Sequence, residues 1–258
     1  MIKVSDSIRV FQDNSYYLVN SICIDLGSEL LFIDTGIDST VAKKFRAKMH
    51  QEFGRRKASL TITHANGDHY MGLEAFMDLP IVVSDKFMKA FRKRISSTKN
   101  TVLKSFKPTK TYTSTNKFGS DDRFITFTLA GGHTDDSSYG YYPKERVLIA
   151  GDNIVTDMPQ YFLHPDSDLE KFIKCLKIWK QMEIDIVIPG HGNITTPSHI
   201  IRVLDYSENL YEFLLKAKEK DLKLNEILDH KDLPKYFEPD PNNWIPSGIK
   251  QIYKNLTV

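Results

Sequence analysis

The sequence predicts an α+β fold in which two mixed β-sheets pack face to face with helices on their outer sides. Two observations carry this expectation. Segments rich in β-branched and aromatic residues gather in two blocks, residues 8–33 and 123–150, and each block is followed by alternating strand and helix patterns. Sheets with apolar residues on both faces need cover on both, which two packed sheets with outer helices provide.

In the first block, residues 8–11, 16–24 and 29–33 read as strands, separated by turn signals at Asp13-Asn14 and Gly27-Ser28. Val41, Phe45, Met49 and Phe53 recur four apart, predicting a helix over 40–53. A strand over 58–63, a short helix near 72–77 and a strand over 81–84 follow. The second block supplies strands over 123–129, 138–142 and 146–150. Leu169, Phe172, Ile173, Leu176 and Trp179 share one stripe of a helix over 169–182. Residues 184–188 read as a short buried strand, 198–230 as helix in more than one piece, and 248–256 as a last helix. Neither repeats nor low-complexity linkers divide the chain, so one domain over residues 1–258 is expected, with a mainly helical part from 198 onward.

Composition excludes several classes. With 258 residues, 41% hydrophobic and 26% charged, the chain can bury a large core and is not disordered. No apolar run approaches the roughly 20 residues of a membrane span, and the first 14 residues lack the apolar centre of a secretory signal. Cys23 and Cys175 are too few for a disulfide framework. A cytoplasmic protein without membrane contact is expected. Net charge is +2, yet residues 86–117 hold ten Lys or Arg and no acid. Such a block reads first as a solvated face and second as a surface for anions or nucleic acid. It carries few aromatics and no nucleic-acid motif. Serine-hydrolase and phosphate-loop motifs are absent. Asp34-Thr35-Gly36 has the look of an aspartic-protease loop, but that chemistry needs two carboxylates and the triplet occurs once.

The informative pattern lies at the strand ends. The strand over 58–63 runs into His64-Ala65-Asn66-Gly67-Asp68-His69, the strand over 123–129 into Gly131-Gly132-His133, the strand over 146–150 into Gly151-Asp152, and the strand over 184–188 into Pro189-Gly190-His191-Gly192. Imidazole and carboxylate are the ligands of Zn, Fe or Mn. His64, Asp68, His69, His133, Asp152 and His191 exceed what one tetrahedral ion takes, which favours two ions with Asp152 able to bridge.

These motifs, in this order and with Asp34-Thr35-Gly36 ahead of them, resemble the metallo-β-lactamase-fold hydrolase superfamily, including its glyoxalase II and lactonase-like members. The matching motifs run from about residue 30 to 192. The resemblance implies a four-layer αβ/βα sandwich with the site at one edge between the sheets. It further implies a first metal on His64 and His133 and a second on Asp68, His69 and His191, with Asp152 between them and Asp34 orienting a ligand. The cofactor expected is zinc, one or two ions, with Fe or Mn as alternatives. The family pattern has a second His where this chain has Asn66. Asn66 could coordinate weakly through its oxygen, the first site could use fewer protein ligands and an extra water, or one metal alone could be firmly held. A non-catalytic relic would be a fourth outcome, set against six intact positions.

The function expected is hydrolysis of an ester, thioester, lactone or related bond by a metal-activated water, with Asp68 and Asp152 as catalytic carboxylates. Tyr161 and His164 stand as substrate-contact candidates, and Asp135 and Asp136 as turn formers or imidazole partners. The basic segment suggests an anionic small-molecule substrate. The rivals are a mononuclear iron persulfide dioxygenase of the same superfamily, using His64, His133 and Asp152, and a nucleic-acid-binding protein or nuclease using residues 86–117. A homodimer through the C-terminal helices is compatible with the sequence.

Overall fold

The computed structural model describes residues 1–160, 162–236, 240 and 242–256. One strand ladder runs β1 (Ile2–Lys3), β2 (Ile8–Asp13), β3 (Val19–Asp25), β4 (Glu29–Ile33) and β5 (Lys57–Thr61), with only β4 and β5 parallel. Helix α1 (Ser39–Phe53) crosses between β4 and β5, its first turn capped by the Asp38 carboxylate, which accepts the Val41 N–H. Helix α2 (Gly67–Tyr70) and a 3-10 turn over Met71–Phe76 follow β5. Then come β6 (Val82–Ser84), α3 (Asp85–Arg94), α4 (Thr101–Ser105) and β7 (Lys110–Tyr112), with β6 parallel to β7.

The second ladder is β8 (Thr115–Ser120), β9 (Arg123–Leu129), β10 (Ser138–Tyr142), β11 (Val147–Val155) and β12 (Ile186–His191), with only β11 and β12 parallel. Helix α5 (Leu169–Lys180) joins β11 to β12, and α6 (Pro197–Glu219), α7 (Leu224–Leu228) and α8 (Trp244–Asn255) complete the chain. The two ladders meet at one pairing, Val19 with His191.

The layers follow from the two-residue period of a strand. Ile22, Ile24, Leu31 and Ile33 of one ladder share a core with Ile125, Phe127, Val147 and Ile149 of the other. The alternate residues Cys23, Leu30 and Phe32 face Phe45 and Met49 of α1 and Phe87 and Phe91 of α3. Leu148 and Ala150 face Phe172, Leu176 and Trp179 of α5, backed by Leu204 of α6 and Ile252 of α8. The result is the expected four-layer sandwich.

Among the boundaries that differ from the sequence expectation, three have a clear local reason. Strand β3 starts at Val19 rather than residue 16 because Tyr17 and Leu18 take left-handed backbone (φ 45° and 52°). Strand β5 stops at Thr61 because the Thr63 N–H leaves the ladder for the Asp34 carboxylate, 2.7 Å away. Strand β11 runs on to Val155 with its register against β12 broken on both sides of Gly151. A bulge of this kind re-aims the side chain that follows it, here Asp152.

Candidate metal centre

Asp34 leaves β4 in a left-handed conformation, φ 59°. Its Oδ1 accepts the Thr63 N–H, and its Oδ2 accepts the Thr63 hydroxyl at 2.8 Å and the His69 Nδ1–H at 2.8 Å. With that hydroxyl donating to Asp34, its oxygen is left to accept from His64 Nδ1, 3.1 Å away. On the far side of the site, His191 Nδ1 donates to the Tyr17 carbonyl at 2.9 Å. In all three rings the outer partner holds a proton on Nδ1, so in the neutral ring Nε2 presents its lone pair inward. His133 is set by its loop: its N–H donates to Asn153 Oδ1 at 2.9 Å and its carbonyl accepts from Ser167 at 2.7 Å.

The inward atoms converge on Asp152. Asp152 Oδ2 lies 3.5 Å from His64 Nε2, 3.5 Å from His133 Nε2 and 3.6 Å from His191 Nε2, while Oδ1 lies 3.2 Å from His69 Nε2. Asp68 Oδ2 is 3.0 Å from His191 Nε2 and 3.7 Å from His69 Nε2. The donor atoms of His64, His133 and Asp152 fall within 4.8 Å of one another, as do those of Asp68, His69 and His191.

Proximity of this kind has a second requirement, a glycine at 190. A Cβ there would stand 1.9 Å from Asp152 Oδ1 and 2.9 Å from its amide nitrogen, so any side chain would evict the central carboxylate.

Charge and burial work against each other throughout the cluster. Burial pushes the Asp68 carboxyl up, but the His69 and His191 imidazoles beside it hold it down at about 2. Burial likewise opposes ionisation of Asp152, and His69, His191 and His64 hold it well below the usual carboxylate range. Against burial, the Asp152, Asp68 and Asp34 carboxylates raise His69 well above an ordinary imidazole, and Asp152 and Asp68 raise His191. His133 is driven the other way by its burial.

The residues fit a metal. The Nε2 atoms of His64, His69 and His191 are buried and approach carboxylate oxygens without the alignment of a hydrogen bond, so they have no hydrogen-bond partner among the described residues. Buried polar nitrogens left in this state are costly, and a shared cation satisfies them.

The sequence profile of the Metallo-beta-lactamase superfamily matches residues 14–191. The chain belongs to that superfamily. It is 23% identical over 194 residues to Metallo-beta-lactamase type 2 of Bacillus sp. (strain 170), a stretch covering 72% of this chain and 71% of that protein. It is 26% identical over 161 residues to Metallo-beta-lactamase type 2 of Elizabethkingia meningoseptica, covering 58% and 59%. The solved metallo-beta-lactamase from Pontibacter korlensis superposes with a TM-score of 0.67 at 18% identity, over 81% of this chain and 98% of that one. The DIM-1 metallo-beta-lactamase gives 0.65 at 17% identity, over 80% and 95%. These superpositions establish that the metallo-beta-lactamase fold is shared.

Within that fold, all six His and Asp candidates come together, with Asp34 behind His69. Asn66 does not offer its oxygen to the cluster. That oxygen accepts from the Arg94 guanidinium, and the amide nitrogen lies 3.0 Å from both His133 Nε2 and His164 Nε2. His164 stands at the site, its ring edge-on to His133 at 5.1 Å, and burial with the nearby Arg94 charge holds it down at about 4. Tyr161 lies outside the described residues. Neither Asp135 nor Asp136 reaches an imidazole: Asp135 pairs with Lys86 and Lys171, and Asp136 Oδ2 accepts the Ala65 N–H at 2.7 Å, bracing the loop between His64 and Asn66.

Two contributors escaped the sequence reading. Arg94 was one cation among ten, although it ends the helix that also carries Lys86, Lys89 and Lys93. Tyr17 contributes through its carbonyl, which leaves no mark in the sequence. Trp244 packs its ring 5.2 Å from that of Tyr17, and both line the cavity of about 290 Å³ that opens onto Asp68 and His191. The basic segment itself divides: Arg94 reaches the site, whereas Lys110 bonds Asn116 and Lys117 sits over the Phe124 ring. No helix among the described residues is long and apolar enough to cross a membrane.

Proposed function

We propose that this protein is a metal-dependent hydrolase cleaving an acyl bond (ester, thioester, lactone or, as the names of its relatives suggest, β-lactam) in a small anionic substrate. The observation that carries this reading is the Asp152 carboxylate, within 3.6 Å of four imidazoles that come from three separate segments, residues 64–69, 133 and 191. His64, His133 and Asp152 would hold one cation and Asp68, His69 and His191 the other, and zinc suits such nitrogen and oxygen donors. When bound, the metal acidifies a water and polarises the scissile oxygen.

The side chains divide the remaining work. Asp68 lines the cavity, so its ionised carboxylate is placed to take the proton of the attacking water and pass it to the leaving group. Asp152 is buried behind the imidazoles and anchors them. Asp34 fixes the His69 ring. Tyr17 and Trp244 give the cavity an apolar wall and keep water from one side of a bound acyl group. Arg94 and His164 supply its polar wall.

A second reading draws on the turned-away Asn66 oxygen. It leaves His64, His133 and Asp152 as a two-His-one-carboxylate set, an arrangement suited to non-haem iron and dioxygen. The test is reconstitution of chelator-treated protein with Zn, Mn or Fe, assayed against 4-nitrophenyl esters, thioesters, lactones and a β-lactam. Hydrolysis that disappears with chelator and returns with metal supports the hydrolase. Oxygen uptake on a persulfide with about one iron per chain, and no hydrolysis, overturns it.

A further inference from the structure

Beside the metal cavity lies a second groove of about 740 Å³, and Arg94 and His164 line both. One wall of the groove is α3. Its apolar side chains Phe87, Met88 and Phe91 are buried, which turns Lys86, Lys89 and Lys93 outward at i, i+3 and i+7 along one stripe. The opposite wall carries Asp135, Asp136 and Asp166.

The acids do not neutralise the stripe. Asp135 is shared between Lys86 at 2.8 Å and Lys171 at 3.1 Å, and Asp136 is buried against the Ala65 amide. Asp166 accepts the Asp135 N–H at 3.3 Å. Lys89, Lys93 and Arg94 have no ion-pair partner among the described residues. Three cations therefore face the groove against two carboxylates without an ion-pair partner among the described residues, Asp166 and the buried Asp136. Lys89 and Lys93 stand one helical turn apart, about 6 Å along the axis. Arg94, half-buried at the passage between groove and cavity, is positioned through its bond to Asn66 and keeps further N–H donors.

We propose that this groove is a subsite for a phosphoryl group on the substrate, bound by Lys89, Lys93 and Arg94 while the acyl bond lies over the metal ligands. The proposal rests on the hydrolase reading for its acyl half and makes the substrate a phosphorylated ester, thioester or lactone. Two ammonium groups and a guanidinium suit a dianionic phosphomonoester better than a single carboxylate, and the guanidinium matches phosphate oxygens two at a time.

The subsite can be tested without metal or turnover. In a 1H–15N NMR titration of metal-free protein with phenyl phosphate, amides of residues 86–94, 164, 166 and 167 should shift, and benzoate should shift them at least tenfold less effectively. Lys89→Glu/Lys93→Glu, at two exposed positions, should weaken phenyl phosphate at least tenfold. In the metal-loaded enzyme the same variant should lower the ratio of kcat/KM for a phosphorylated ester over its neutral counterpart at least tenfold. Unmoved α3 amides, or equal binding to wild type and variant, would overturn the subsite, and equal response to benzoate would overturn its phosphate selectivity. Hydrolysis of a neutral ester by a protein that ignores phenyl phosphate removes this proposal and leaves the hydrolase; binding of phenyl phosphate without hydrolysis of any ester does the reverse.

Discussion

The Arg94 guanidinium donates to the side-chain oxygen of Asn66, at the position where the family pattern carries a second histidine. A guanidinium can only donate, so this bond orients the amide oxygen away from His64, His133 and Asp152. The departure from the family pattern is thus a pair of residues, one of them 28 positions further along the chain.

Restoring the imidazole alone should therefore do little. Asn66→His leaves Arg94 beside the new ring, a cation next to a metal ligand. Asn66→His/Arg94→Ala should bind the first metal about tenfold more tightly than Asn66→His, as read by competition with a chromogenic chelator. Equal affinities would show that Arg94 exerts no control over position 66.

Asp34 offers a test of orientation apart from folding. Asn tolerates left-handed backbone and keeps an acceptor for the Thr63 amide, so Asp34→Asn should hold the fold while metal affinity falls roughly 10- to 100-fold. Asp34→Ala strands the buried Thr63 N–H and should add a stability loss of about 1–3 kcal/mol. Chemical denaturation and metal titration of the two variants separate these effects.

Gly190→Ala should damage both at once. The added methyl meets Asp152 Oδ1, and the backbone on either side is held in β12, so the carboxylate must move. A destabilisation of about 1–3 kcal/mol, with loss of metal content measured by mass spectrometry, is expected. Retention of full metal would contradict the placement of Asp152.

Much of this was legible because it is local. His64, Asp68 and His69 lie within six residues, and each remaining ligand sits beside a glycine at the end of an apolar strand. The unbroken apolar runs at 22–24 and 30–33 marked strands that need cover on both faces. What stayed hidden depends on backbone geometry or on distant partners. The left-handed pair Tyr17 and Leu18 looked like strand because aromatic and aliphatic residues favour strands on average, yet here the Tyr17 carbonyl had to reach His191. The bulge at Gly151 extends β11 beyond any pattern in its residues, and the Arg94–Asn66 bond joins a helix end to a loop that propensity cannot connect.

The stability of the metal-free protein should peak near pH 6.5. His69 and His191 are raised, so the native state holds more protons above 6.5 and stability falls as pH rises through their folded values. His133 and His164 are lowered, so the unfolded state holds more protons below 6.5 and stability falls as pH drops, for His164 down to about 4. Metal binding removes the first loss by replacing protons, so the thermal midpoint of loaded protein should hold to higher pH. A metal-free midpoint that keeps rising from pH 6 to 9 would contradict these charge states.

The most direct measurement pairs metal content with turnover in wild type and Asp152→Ala, each purified without added metal and assayed before and after chelation. Wild type should carry one or two divalent ions per chain and lose and regain hydrolysis with them, whereas Asp152→Ala should retain its fold by circular dichroism, bind little metal and hydrolyse nothing. An Asp152→Ala protein with wild-type metal content and activity would contradict a centre organised around that carboxylate.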